Sequence, residues 1–154
     1  MQDSQSNALR DRLVGELIGL ARATEGNEHL ITPSTNRTTE EVLCAVATDA
    51  PPHRLQQLLE QVDAEKRKIV PMCYQCAASC GRTNSYSLAA LAEASAEIRQ
   101  LKLQILETIS ALAAAPGQKD HSFFYLALYA VGREDWSAAD LVAIVQKAEK
   151  MLAC

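Results

Sequence analysis

Apolar residues along this chain recur at intervals of three and four, and no stretch alternates apolar with polar long enough to make a strand. Leu9, Leu13, Leu17, Leu20 and Ala21 are the first such stripe. That spacing lines up side chains on one face of a helix, which must then find a second apolar face to cover it. The chain is therefore expected to be all-α, a helical bundle of five to six helices with an irregular cysteine-rich loop. Composition agrees: 48% of the chain is hydrophobic but only 5% aromatic, so Ala and Leu carry a core that favours helices over a β-sandwich.

Punctuation between the stripes sets the expected boundaries. The first helix is placed at about residues 7–24, with Gly26 as the left-handed residue that ends it. Residues 25–38 read as a connection. Thr38 with Glu41 three residues on offers a capping box for a short helix running to Thr48. Pro51-Pro52 opens the next helix, whose face is Leu55, Leu58, Leu59 and Val62 and whose end, Lys66-Arg67-Lys68, reads as a solvated terminus. Residues 69–86 are expected to be irregular. Residues 87–115 then hold the longest periodic segment, free of Gly and Pro, with Leu91, Ile98, Ile105 and Leu112 seven apart and Ile109 beside them. Asp120 caps a following helix that Gly132 ends, Trp136 staples the last helix to the bundle, and Ser137 with Asp140 caps it. Residues 1–68 form an N-terminal helical segment and 69–154 a cysteine loop plus three-helix segment, packed together as one domain.

Charge narrows the function classes. Fifteen basic against nineteen acidic residues give a net charge of −4, and no basic tract stands out, so no nucleic-acid partner is expected. No apolar run reaches the roughly 18 residues of a membrane span, and the polar N-terminus lacks the layout of a signal peptide. A cytoplasmic location follows as the expectation, with no membrane partner.

The one strong chemical signal is a cluster of cysteines. Three of the five, Cys73, Cys76 and Cys80, fall within eight residues, while Cys44 and Cys154 stand far away. An odd count in a reducing compartment argues against a disulfide framework. The Cys73-x-x-Cys76 spacing lets two thiolates face one metal centre across a turn, and Cys80 can join them. Gly81 lets backbone pass close to a bulky cofactor, Arg82 offsets thiolate repulsion, and Tyr74 and Tyr86 flank the loop as shields. Cofactor-binding and metal-ligating roles therefore fall on Cys73, Cys76 and Cys80. An iron–sulfur cluster is the leading assignment and zinc the alternative. A thioredoxin-like dithiol lacks its βαβ surroundings. Cys44 reads as an inert thiol on an amphipathic helix and Cys154 as a frayed terminal one.

Met72-Cys73-Tyr74-Gln75-Cys76, followed by Cys80-Gly81-Arg82-Thr83, resembles the N-terminal motif of the hybrid-cluster proteins, the hydroxylamine reductase family. The segment Phe123-Phe124-Tyr125-Leu126-Ala127-Leu128-Tyr129, running to Asp135-Trp136, resembles a helix and turn of the same domain, so the likeness spans about residues 72–154. It implies a 4Fe-4S cubane at the edge of a helical domain, held here by Cys73 and Cys76 as the first pair and Cys80 as the last cysteine. The family places a further cysteine between them, where this chain has only Ala77-Ala78-Ser79. A fourth ligand would then come from Cys44, Cys154, His29, His53, His121 or a partner. The family's catalytic hybrid cluster belongs to α/β domains that this sequence does not contain, so no catalytic residue is assigned and autonomous hydroxylamine-reductase-like turnover is not expected. The expectation is a small electron-transfer or redox-sensing module with a redox protein as partner, against a zinc-stabilised or cofactor-free interaction bundle.

Overall fold

Leu13, Leu17, Leu20 and Ala21 are fully buried, and the helix that carries them, α1 (Gln2–Thr24), begins well before the apolar stripe does. The computed structural model describes residues 2–72 and 94–153, with side chains from 4 to 69 and from 94 to 153. A single-turn 3₁₀ helix (Glu28–Leu30) follows α1, then α2 (Pro33–Ala47), α3 (Pro52–Met72), α4 (Ala96–Ala114), α5 (His121–Gly132) and α6 (Ala138–Ala153). Among the described residues there is no strand, as the uniform helical period requires.

Two helix starts differ from expectation, each for a local reason. The second helix begins at Pro33 and not after Thr38. Thr32 and Thr35 make a reciprocal cap, each hydroxyl accepting from the other's backbone N–H at 3.2 Å, and Pro33 supplies the preset φ of a first turn. Thr38 and Thr39, freed from capping, are buried against the core. The periodic segment expected over residues 87–115 is interrupted at Ala94 and Ser95, which are not helical; its residues 87–93 lie outside the described residues. Ser95 caps α4, its hydroxyl accepting from the Ile98 amide at 3.3 Å. Ile105 and Ile109 are fully buried as expected, Ile98 is half-buried, and Leu91 lies outside the described residues. The other punctuation holds: Gly26 takes φ +80 beyond α1, Asp120 accepts from the Phe123 amide at the start of α5, and Ser137 and Asp140 cap each other at α6.

α1 packs on α2, α3 and α5; α2 also packs on α3 and α4, and α4 on α5 and α6. α5 is the most enclosed of them, with eight of its twelve residues buried. Helix direction alternates so that one end of the bundle, called the upper end, gathers the C-termini of α1, α3 and α5 with the N-termini of α2 and α4. There Glu65 of α3 accepts from Ser34 (2.8 Å) and Thr35 (3.1 Å) of α2, and Arg133, just past α5, reaches Glu25, just past α1, at 2.6 Å. Lys102 of α4 donates to the Arg133 carbonyl at 2.7 Å. At the lower end, Met151 and Leu152 of α6 lie beside Leu112, Ala115 and Pro116.

The basic run Lys66-Arg67-Lys68 is not the solvated terminus expected, for α3 continues past it to Met72. Arg67 and Lys68 are exposed, but Lys66 is buried and its ammonium donates to Glu16 of α1, while Glu65 is only 5% exposed. A charge taken out of water requires such partners. Burial pushes the Glu65 carboxyl up, but hydrogen bonds from Lys68, Ser34 and Thr35 together hold it below the usual carboxylate range.

Two outcomes follow. An added Cβ at Gly132 would lie 2.6 Å from Arg22 Cδ and 2.8 Å from Ile18 Cγ2. Alanine is the better helix former by about 1 kcal/mol, yet Ile18 is fully buried and Arg22 is tied to the Gly132 carbonyl, so neither gives way freely. Gly132→Ala should cost about 1–2 kcal/mol in urea denaturation, the clash outweighing the propensity. For Glu65, a carboxylate lowered on folding stabilises the fold above its unfolded pKa near 4.5, and that contribution is lost as pH falls through the folded value. Glu65→Gln should therefore be destabilised at pH 7, with the gap to wild type closing as the pH is taken below that window.

Candidate functional site

Cys73, Cys76, Cys80 and Cys154 lie outside the described residues, which resume on either side of the cluster at Met72 and Ala94. α3 ends at Met72, and α4 is preceded by Ala94 and Ser95, so the described ends on either side of the cluster are both at the upper end of the bundle. His29 is exposed on the 3₁₀ turn at that same end. The other internal candidates sit elsewhere. Cys44 is half-buried on α2, eleven residues past Pro33, which is about 17 Å down the helix at 1.5 Å per residue. His53 is exposed in the first turn of α3, and His121 opens α5, both toward the lower end. α6 also finishes at the lower end, at Ala153, the residue before Cys154. Among the described residues, no group of three or more His, Cys, Asp or Glu is placed to hold a metal ion, and no helix is long and apolar enough to cross a membrane.

The described residues do form a groove. His121, Tyr125 and Tyr129 stand four residues apart, so their rings share one face of α5, the face turned to α2 and the 3₁₀ turn. Each finds a polar partner across the gap. Tyr125 Oη is 3.3 Å from Thr39 Oγ1, Tyr129 Oη is 3.2 Å from Thr24 Oγ1, and His121 Nε2 is 3.9 Å from Glu40 Oε1. Between these contacts lies a cavity of about 420 Å³, walled also by Ile31 and Leu126. Glu28, Asn36 and Ser122 complete it, and Glu28, Ser122 and Leu126 are exposed, so it opens to solvent along their side. Glu28 is in no ion pair among the described residues, and Asn36 Oδ1 is buried with no hydrogen-bond partner among them.

Burial dominates the electrostatics of this face. It pushes the Tyr125 phenol up to about 12; the Thr39 hydrogen bond works against the shift, and Tyr129 and Glu65 add to it. Tyr129 is raised by burial, with its Thr24 hydrogen bond opposing and Glu28 and Glu25 adding. The aromatic-rich segment is thus not core alone. Its four-residue stripe of imidazole and phenol was visible in the sequence as a polar edge on an apolar helix.

Tyr125 offers a test of this burial. A phenol raised on folding stabilises the fold below pH 10, and that contribution is lost as pH rises from 10 through about 12. Spectrophotometric titration should show a late-ionising tyrosine that Tyr125→Phe removes, and the variant should lose less stability than wild type over that alkaline window.

Comparison of the chain with protein-family models, with curated proteins and with solved structures gives no match in any of the three.

Proposed function

We propose that the chain binds an iron–sulfur cluster through Cys73, Cys76 and Cys80 and acts as an electron-transfer or redox-sensing module for a redox partner protein. The observation that carries this reading is the donor set itself: three thiols within eight residues of a chain whose other two cysteines are remote. Thiolates are the ligands iron–sulfur clusters require, and three near neighbours fill most of a cubane's positions. Two features support His29 as the fourth ligand over Cys44, His53, His121 and Cys154. It is exposed, and it lies at the end of the bundle where the described flanks of the cysteine segment stop. A ligand at the surface also suits electron exchange with a partner, since a reducible centre must be approached closely by its donor. When bound, the cluster supplies the one-electron chemistry; the chain's share is to ligate it and set its exposure.

Anaerobically prepared protein should contain iron with an equal amount of acid-labile sulfide. Cys73→Ser or Cys76→Ser should abolish retention of both, Cys154→Ser should leave them unchanged, and His29→Ala should lower retention or move the reduction potential. Stoichiometric zinc without sulfide would overturn the iron–sulfur reading, and loss of iron in Cys154→Ser to the extent seen in Cys73→Ser would overturn the ligand assignment.

A further inference from the structure

The groove on the α2-facing side of α5 has the chemistry of a binding site in its own right, separate from the cysteines. Its volume, about 420 Å³, lies in the range of small-molecule sites. Its wall is divided. Ile31, Leu126 and the rings of Tyr125 and Tyr129 make an apolar and aromatic surface, the two rings 6.4 Å apart and tilted by 33°. At its mouth the exposed carboxylate of Glu28 makes no ion pair among the described residues. The neighbouring acids are otherwise engaged: Glu25 with Arg133, Glu40 beside His121, Glu65 with Lys68.

Those features select the sign of the ligand. An anion would meet the Glu28 carboxylate and the negative faces of two phenol rings, and both repel it. An organic cation meets an unpaired carboxylate and the attractive face of an aromatic ring, and Asn36 Oδ1, buried with no partner among the described residues, becomes a further acceptor once its amide turns. Turning the Asn36 amide toward the groove breaks no hydrogen bond that its side-chain oxygen makes among the described residues. A primary ammonium brings three donors to these acceptors, and a flat apolar body fills the space between Ile31, Leu126 and the rings. We infer that this groove binds a small organic ammonium compound with an apolar or aromatic body, Glu28 being its counter-ion and Tyr129 its ring wall.

The probe pair is phenethylamine against 2-phenylethanol, which share size and ring and differ in charge. Each is titrated into the full chain while the ring resonances of His121 and Tyr129 are followed by NMR. The amine should shift both resonances and saturate, and the alcohol should bind at least about threefold more weakly, the discrimination expected of one exposed ion pair. Glu28→Gln should weaken amine binding by about the same factor and leave alcohol binding unchanged; Glu28 is exposed, so folding is retained, and a circular dichroism melt verifies it. Lys119→Gln, at the lower-end cavity, should alter neither titration. Equal binding of amine and alcohol, an unaffected Glu28→Gln variant, or absence of saturable shifts at His121 and Tyr129 would each overturn the inference. None of these readouts depends on iron, so they stand or fall apart from the cysteine reading.

Discussion

Eight of the twelve residues of α5 are buried, its last three among them, and that burial makes its final carbonyls a problem the rest of the fold must solve. A helix end withdrawn from water leaves acceptors with no intrahelical donor. Here two cations from two different helices supply them: Arg22 of α1 donates to the Gly132 carbonyl at 2.8 Å and Lys102 of α4 to the Arg133 carbonyl at 2.7 Å. Positive charge at this end also opposes the helix dipole favourably. Burial lowers the Lys102 pKa, Arg22 adds to that effect, and Glu134 works against it, so the ammonium is held at this end against a desolvation cost. The same spot explains Gly132, since only a residue without Cβ lets Arg22 and Ile18 come so close. Arg133 extends the arrangement outward, fork-to-fork with Asp135 (2.9 and 2.6 Å) and to Glu25. α1, α4 and α5 are thus locked at the upper end by charge-assisted bonds to backbone.

The bundle itself was legible because helical period is redundant: each stripe repeats its message over several turns. Caps were legible only where one candidate stood alone. Asp120 and Ser137 had no rivals, whereas residues 32–39 hold five threonine or serine hydroxyls at which a helix could start. The choice among them fell to Thr32 because Thr35 reciprocates and Pro33 stands between, a match of three residues that the Thr38–Glu41 pattern outweighed on paper. Ser95 is the converse case. The apolar period of the sequence runs through it, yet its hydroxyl accepts from the Ile98 amide and α4 begins at the next residue. Lys66 shows the same limit for charge, because a lysine in a basic run is solvated unless a carboxylate on another helix claims it, as Glu16 does.

Of the candidate sites, the cysteine cluster was the easier to see and the groove the harder. Ligand chemistry is written in residue type and local spacing, so Cys73, Cys76 and Cys80 stand out without any fold. The groove draws its wall from three elements, and only its α5 stripe, His121, Tyr125 and Tyr129, is contiguous enough to read in one helix. Its remaining members, Glu28, Ile31 and Asn36, are unremarkable until α1 ends and α2 turns back beside α5.

That turn carries one wall residue of the groove and, beside it, the proposed fourth ligand. Glu28 and His29 are neighbours in a single 3₁₀ turn, one lining the groove and the other exposed at the upper end. Their placement hangs on few bonds: Asn27 N–H to the Thr24 carbonyl at 2.9 Å, Leu30 to Asn27 at 2.9 Å and Ile31 to Glu28 at 3.0 Å. Leu30, 4% exposed, anchors the turn in the core, and Gly26 with positive φ permits the reversal that brings it there. A backbone shift in a segment so short carries both residues with it, because three consecutive backbone bonds fix the whole turn at once.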